Sequence, residues 1–373
     1  MRISTTADHS ANAFELLRFL AAFAVLFSHS FVLYGLPEPF LAFGLPLANV
    51  AVYVFFVISG FLVCQSWGAD PNLPRFAARR ALRLLPALLV AVAVTVFVIG
   101  PLMTTLPILE YFQSRETWSY LISNASLVIG RFTLPGVFEA NPFPGAVNGS
   151  LWTLRYEVLM YAALGTVGAA TTRSGMRWAC LTLLALFAIG WSISRAMGIV
   201  AYALPVPGAS LIGLGIDWMH LALFGTFFFA GSSLYWIRDR LHLSVSAVAL
   251  LALAAWFTRD SLLAMPFLWL LLPYATLVAA YRAPVWLRPF GKQRDLSYGI
   301  YIYAFPVQQA VCWLALSAGA GWLAAFTASA LITLALAGLS WHYVERHALR
   351  CKPRPPHAVL ARPGMQLGAQ GDR

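Results

Sequence analysis

The chain has 373 residues, 60% of them hydrophobic and 10% charged, with a formal net charge of +11. A soluble domain carries about 25% charged residues, so this composition excludes a water-soluble fold and leaves no room for a separate soluble domain. The four cysteines stand far apart, with no CxxC and no cysteine–histidine ligand spacing, which argues against a disulfide framework and against a metal site.

About 20 apolar residues cross a bilayer as a helix. On that measure the chain reads as an all-α membrane protein of about ten transmembrane helices, near residues 14–34, 46–66, 84–105, 150–170, 177–197, 217–237, 243–258, 262–281, 296–316 and 321–345. The first run has no small-residue cleavage site after it, so it reads as a retained helix and not as a signal peptide. The third span is expected to end early at Pro101, and the seventh is short. There is no fixed-period repeat. Residues 1–350 read as a single domain, followed by a short basic tail, 351–373, expected to be disordered.

The basic residues set the orientation. With the N-terminus in the cytoplasm, most of the 25 lysines and arginines fall in cytoplasmic segments, including Arg75, Arg79, Arg80, Arg83, Arg288, Lys292 and the tail. Outer loops hold Arg115, Arg131 and Arg259. Both termini come out cytoplasmic, in a multi-pass membrane protein. Topology and the lipid bilayer account for the positive charge, and nucleic acid is not needed as a partner.

The first span, Phe14 to Tyr34, carries Glu15 and Arg18 near one end and His29 in the other half. Eleven residues is about three helical turns, so Arg18 and His29 share a stripe and lie roughly 16 Å apart along the axis. Ionisable groups in lipid are costly and face protein or a water-filled path. The alternative is a packed His29 and an Arg18 that reaches the headgroups.

Further along, RFAARRALRLLP (75–86) places Arg80 and Arg83 one turn apart beside Arg79. Two guanidinium groups on one turn can clamp a phosphate; an ordinary topogenic cluster is the competing reading. The long outer loop, about 106–149, contains an amphipathic stretch from Thr117 to Ile129 and a Gly/Pro/Asn-rich segment. Its Trp118, Tyr120, Phe132, Phe138 and Phe143 suit the headgroup zone or a sugar ring.

The next block is Asn148-Gly-Ser-Leu-Trp-Thr-Leu-Arg-Tyr-Glu157. Glu157 falls roughly 10 Å below the outer face and His29 roughly 8 Å below it. A carboxylate beside an imidazole fixes its tautomer and suits a general base. Arg18 is a rival partner for Glu157; Arg155, two residues away, is not. Ser59-Gly60 in FFVISGFLV reads as helix packing, and Asp217 with His220 as an interfacial pair. Tyr298, Tyr301, Tyr303, Gln308 and Gln309 give a polar face in a span broken by Pro306.

These blocks together resemble the acyltransferase type 3 family of bacterial integral-membrane O-acyltransferases. The resemblance rests on Glu15-Leu-Leu-Arg18 with His29 after ten residues, on FFVISGFLV, on Arg79-Arg80-Ala-Leu-Arg83, on Ser150-Leu-Trp152-Thr-Leu154-Arg-Tyr-Glu157, and on Ser297-Tyr298 with Phe305-Pro306. It implies ten helices and transfer of an acyl group, commonly acetyl, from cytoplasmic acyl-coenzyme A to a hydroxyl of an envelope or exported glycan, with no metal. It implies that His29 is the essential histidine, Arg18 its partner, Arg80 and Arg83 the coenzyme-binding pair, and Glu157 the acidic residue of the tryptophan block. Two departures stand out. Many members have histidine where this chain has Ala304, and some carry a C-terminal esterase-like domain where this chain has its short tail. The competing class is a secondary transporter, since intramembrane Arg, His and Glu also mark ion paths; the lack of inverted repeats counts against it. General base or covalent carrier for His29, association with further copies of the chain, and the identity of the acceptor are all open at the level of sequence.

Overall fold

The computed structural model describes residues 12–41, 44–127, 130–198, 216–290 and 294–353. The segment 199–215 lies outside the described residues, and so do residues 354–373 of the 351–373 tail expected to be disordered; its first three residues are described, and Lys352 lines a cavity. The described chain is helical throughout, with no strand. The long helices are α1 (Phe14–Leu33), α2 (Leu47–Ala69) and α3 (Leu73–Val94, continuing to Met103). The outer loop carries the short α4 (Ile108–Gln113) and α5 (Arg115–Ser126). They are followed by α6 (Leu154–Ala170), α7 (Arg173–Ala196), α8 (Trp218–Ile237), α9 (Val245–Phe257), α10 (Ala264–Arg282), α11 (Ser297–Ser317) and α12 (Trp322–Ser340, continuing to Arg350).

Each of the ten expected spans corresponds to a helix, but among the described residues eight are long and apolar enough to cross a membrane. The fourth falls short because its first turn, Gly149–Thr153, winds as a 3-10 helix before the 17-residue α6 begins. The seventh has 13 residues. The third starts earlier than expected: Asn72 caps it by accepting from the Arg75 amide at 3.0 Å, with Pro74 in the first turn. The arginine run therefore lies on a helix, not in a loop.

Nor does α3 stop at Pro101. Proline has no N–H to give the preceding turn, and the helix widens into a π-turn over Thr95–Ile99. The Tyr111 hydroxyl, from α4, donates to the Val96 carbonyl at 2.9 Å. Gly100 makes room for it, since a Cβ there would come within 2.0 Å of that hydroxyl.

In the bundle α1 packs between α2 and α11, and α2 lies along α8. The last contact needs glycines: a Cβ on Gly60 would stand 1.9 Å from the Phe228 carbonyl oxygen, and one on Gly231 2.1 Å from that of Val57. α8 is the most enclosed of these helices, while α7 exposes Leu186, Ile189 and Ile193, as a lipid-facing helix does.

The outer loop is docked rather than free. Gln309 of α11 donates to the carbonyls of Phe143 and Ala146 at 2.8 and 2.7 Å, and Asn141 donates to the Gln309 side-chain oxygen at 2.7 Å. Of the loop aromatics expected at the headgroups or a sugar, Tyr120 and Phe138 are instead buried in the core, whereas Trp118 and Phe143 are partly exposed. The amphipathic stretch forms α5, two residues earlier than expected.

Candidate active site

The chemistry-bearing residues line two cavities, one toward each end of α1. The cavity at the arginine end has a volume of about 340 Å³ and is lined by Arg18, Arg80, Arg83, Glu157, Asp295 and Lys352, among others. The cavity at the histidine end, about 370 Å³, is lined by His29, Trp152, Trp191, Arg195 and His220 with Tyr53 and other apolar groups.

Arg18 and Arg83 converge on one carboxylate. Arg18 Nη1 donates to Asp295 Oδ2 at 2.8 Å, and Arg83 Nη2 donates to the same oxygen. The other oxygen, Oδ1, accepts from the Ser297 amide and hydroxyl at 3.1 and 2.5 Å, at the start of α11. Burial pushes the Asp295 acid up, but Arg18, Arg83 and Ser297 outweigh it and hold the carboxyl below the usual range. Arg18 also lies 3.6 Å from Glu15, and Arg83 lies 3.7 Å from the buried Glu345. Arg18 therefore pairs with Asp295, not with His29 or Glu157 as the sequence suggested.

Arg79 is committed elsewhere. Its Nη1 donates to Asp70 Oδ2 at 2.5 Å, and Arg75 holds the same carboxylate through two bonds of 2.9 and 2.6 Å. The Arg75 hydrogen bond, with Arg79 beside it, keeps Asp70 well below the ordinary carboxylate range. Arg79 does not line the cavity and closes the α2–α3 turn instead. Arg80 is the opposite case. Its Nη2 reaches only the Ser66 hydroxyl, at 3.5 Å; its guanidinium stands over the Phe76 and Tyr161 rings, and its Nε is buried with no partner among the described residues. It is a cation held by aromatic faces with hydrogen-bonding capacity to spare.

Glu157 accepts from Ser59 at 2.9 Å and from the Tyr161 hydroxyl one turn along its own helix. Ser59 is thus part of the site, while its neighbour Gly60 does the packing. The expected Glu157–His29 pair is not formed. The two residues line different cavities, because the 3-10 turn before α6 draws Glu157 toward the arginine end. His29 is set by an edge-on Phe305 ring, centroids 5.4 Å apart, and its Nδ1 is buried with no hydrogen-bond partner among the described residues.

The late block explains this arrangement. Pro306 cannot serve the Ile302 carbonyl one turn back. Asn148 Nδ2 donates to that oxygen at 2.9 Å, while Asn148 Oδ1 accepts from the Ser150 amide at 3.1 Å. This fastens the 3-10 turn to α11. Gly149 then lies against Phe305, where a Cβ would meet the ring at 2.7 Å. Ala304 faces away from both cavities, into a small buried cluster with Ala22, Leu26 and Ala337.

Besides Ser59, four contributors were not picked out as site residues. Asp295 is the one acid in a basic stretch, which is a usable signal. Lys352 was counted with the basic tail. His220 was read as interfacial, yet it packs on Trp152, ring centroids 4.8 Å apart, in the His29 cavity, with Asp217 at 3.3 Å. Tyr301 was seen only as part of a polar face.

Comparison with known proteins shows the family. The profile of the acyltransferase domain family matches residues 12–342. An O-acetyl transferase of Shigella phage Sf6 is 31% identical over 359 residues, covering 93% of this chain and 98% of that protein. Nodulation protein 10 of Rhizobium leguminosarum bv. viciae is 30% identical over 374 aligned residues, covering 92% and 96%. No solved structure matches. The helices, the ordered blocks and these relatives lead to one conclusion: the chain is a multi-pass membrane protein that belongs to the acyltransferase type 3 family.

Proposed function

We propose that the protein transfers an acyl group, acetyl by analogy with its phage relative, from cytoplasmic acyl-coenzyme A to a hydroxyl of a surface or exported glycan. The observation that carries this reading is the division of labour between the cavities. Unspent cationic capacity lies at one end, and His29 and His220 stand among aromatic walls at the other, with Arg195.

The donor enters the arginine-end cavity, which the positive-inside rule places at the cytoplasm. Its phosphates bind Arg80, whose guanidinium no carboxylate among the described residues contacts, and Lys352 at the same mouth. Arg83 contributes field, but its direct bonds go to Asp295 and Glu345. Glu157, fixed by Ser59 and Tyr161, shapes the wall beside Arg80. The acceptor sugar enters the other cavity, where Trp152 and Trp191 offer apolar faces to a ring. His29 takes the hydroxyl proton. With Nδ1 buried, Nε2 is the nitrogen left to do so. The resulting alkoxide attacks the thioester. A donor from one side and an acceptor from the other give a reason for placing the base inside a membrane.

The test is transfer of label from radiolabelled acetyl-coenzyme A in membranes that contain the protein and the surface glycans of its source cell. A base-labile labelled ester that depends on the protein supports the reading. Absence of label with several acyl donors, together with gradient-driven uptake of a solute, would replace it with the transporter reading.

A further inference from the structure

The two cavities have three lining residues in common: Val52, Thr153 and Tyr301. Val52 has no side-chain donor. Thr153 Oγ1 and the Tyr301 hydroxyl oxygen are 2.5 Å apart, and both side chains are buried. This hydroxyl pair is the polar part of the wall that separates Arg80 and Arg83 from His29. It is also built with care. Asn148 ties the turn that ends in Thr153 to the carbonyl next to Tyr301 in sequence, and Phe55 packs edge-on against the Tyr301 ring, centroids 5.8 Å apart.

A donor held by its phosphates in one cavity meets an acceptor held at His29 in the other only at this wall. The thioester carbonyl therefore reacts there. Negative charge grows on its oxygen during attack, and a buried, fixed donor aimed at that charge is worth far more than one in water. We propose that Tyr301 is a catalytic residue whose hydroxyl donates to the thioester carbonyl oxygen, with Thr153 donating to Tyr301 so that the phenol proton is left for the substrate. This rests on reading the cavities as donor and acceptor chambers.

The step balances as follows. The acceptor hydroxyl gives its proton to His29, and the oxygen lone pair forms the new C–O bond. The carbonyl π pair moves onto its oxygen, which Tyr301 holds. Return of that pair breaks the C–S bond. The thiolate leaves with the bonding electrons and takes the proton from His29. Neither an oxidant nor a metal is consumed.

Tyr301→Phe separates this role from that of a mere partition, because the ring that fills the wall stays and only the oxygen goes. Purified variants in detergent are compared with wild type for acetyl transfer, with melting temperature and elution volume as folding controls. Tyr301→Phe is expected to lower kcat by about 100-fold while the donor KM moves by less than about threefold. Thr153→Val is expected to lower kcat by about tenfold, and Thr153→Ser, which keeps the hydroxyl, to stay within about twofold of wild type; this pair carries the test if Tyr301→Phe folds poorly. A folded Tyr301→Phe that keeps more than half of the wild-type kcat, or Thr153→Val and Thr153→Ser that behave alike, would overturn the proposal and leave the function intact. A wild-type protein that transfers from no acyl-coenzyme A would overturn both.

Discussion

Asn148 donates a hydrogen bond of 2.9 Å to the Ile302 carbonyl, the group that Pro306 leaves unserved one turn along α11. Two blocks over 150 positions apart in sequence are joined by this contact, which holds the turn that ends in Thr153 against the helix that carries Phe305. Replacing Asn148 with Ala removes the donor and leaves a buried carbonyl unpaired, at a cost of about 1–3 kcal/mol. Asn148→Ala should melt several degrees earlier in detergent and lose transfer activity beyond its loss of folded protein. Equal activity per folded molecule would count against the contact as a positioning device.

Gly149 supplies a milder probe. A Cβ at this position enters the Phe305 ring, and that ring packs on His29. Gly149→Ala is expected to displace the ring, lowering kcat several-fold with little change in melting temperature. Unchanged kcat would show that Phe305 does not set the histidine.

Arg79 and Arg80 are adjacent and should fail in different ways. Arg79→Ala removes one of the two arginines that hold Asp70 and leaves Arg75 in place; losing a charge-assisted hydrogen bond costs about 1.5–3 kcal/mol, so the expected result is lower yield and earlier melting. Arg80→Ala removes a cation with no carboxylate partner. It should fold normally and raise the donor KM by about tenfold or more. A donor KM that rises in folded Arg79→Ala but not in Arg80→Ala would reverse the assignment.

Lys352 is expected to make donor binding depend on pH. Burial, with Arg80, Arg83, Arg18 and Arg79 nearby, lowers its ammonium to about 8. The charged form, the one that binds phosphate, prevails below that value and is lost above it. The donor KM is therefore expected to rise as pH climbs from 7 to 9. Lys352→Arg keeps its charge throughout and should flatten that rise. An identical profile in the two proteins would remove Lys352 from the donor site.

Much of the fold was legible because lipid punishes unpaired backbone and selects long apolar helices, so spans show directly in hydropathy. What was missed depends on contacts between distant segments. The continuation of α3 past Pro101 needs Tyr111 to serve Val96. The separation of Glu157 from His29 needs a 3-10 turn that shifts depth by less than a helical turn, below what span boundaries resolve. In the site, His29 and Glu157 stood out as ionisable residues in apolar runs, and Arg80 by its one-turn spacing from Arg83. Arg79 and Arg83 looked equivalent to Arg80, because the Asp70 and Asp295 that engage them are remote or look ordinary in sequence. Tyr301 showed only as one member of a polar face, and Lys352 only as one charge of a basic tail.

The proposed reaction requires donor and acceptor to be separated by the Thr153–Tyr301 wall, with His29 on the acceptor side. Sealed inverted membrane vesicles test this most directly. Labelled acetyl-coenzyme A is supplied outside, at the former cytoplasmic face, and glycan acceptor is trapped within. The account predicts labelled ester in the lumen with wild type, and a loss of about 100-fold or more with His29→Ala at equal amounts of folded protein. Equal lumenal label with His29→Ala, or ester formed only when donor and acceptor share one side, would contradict it.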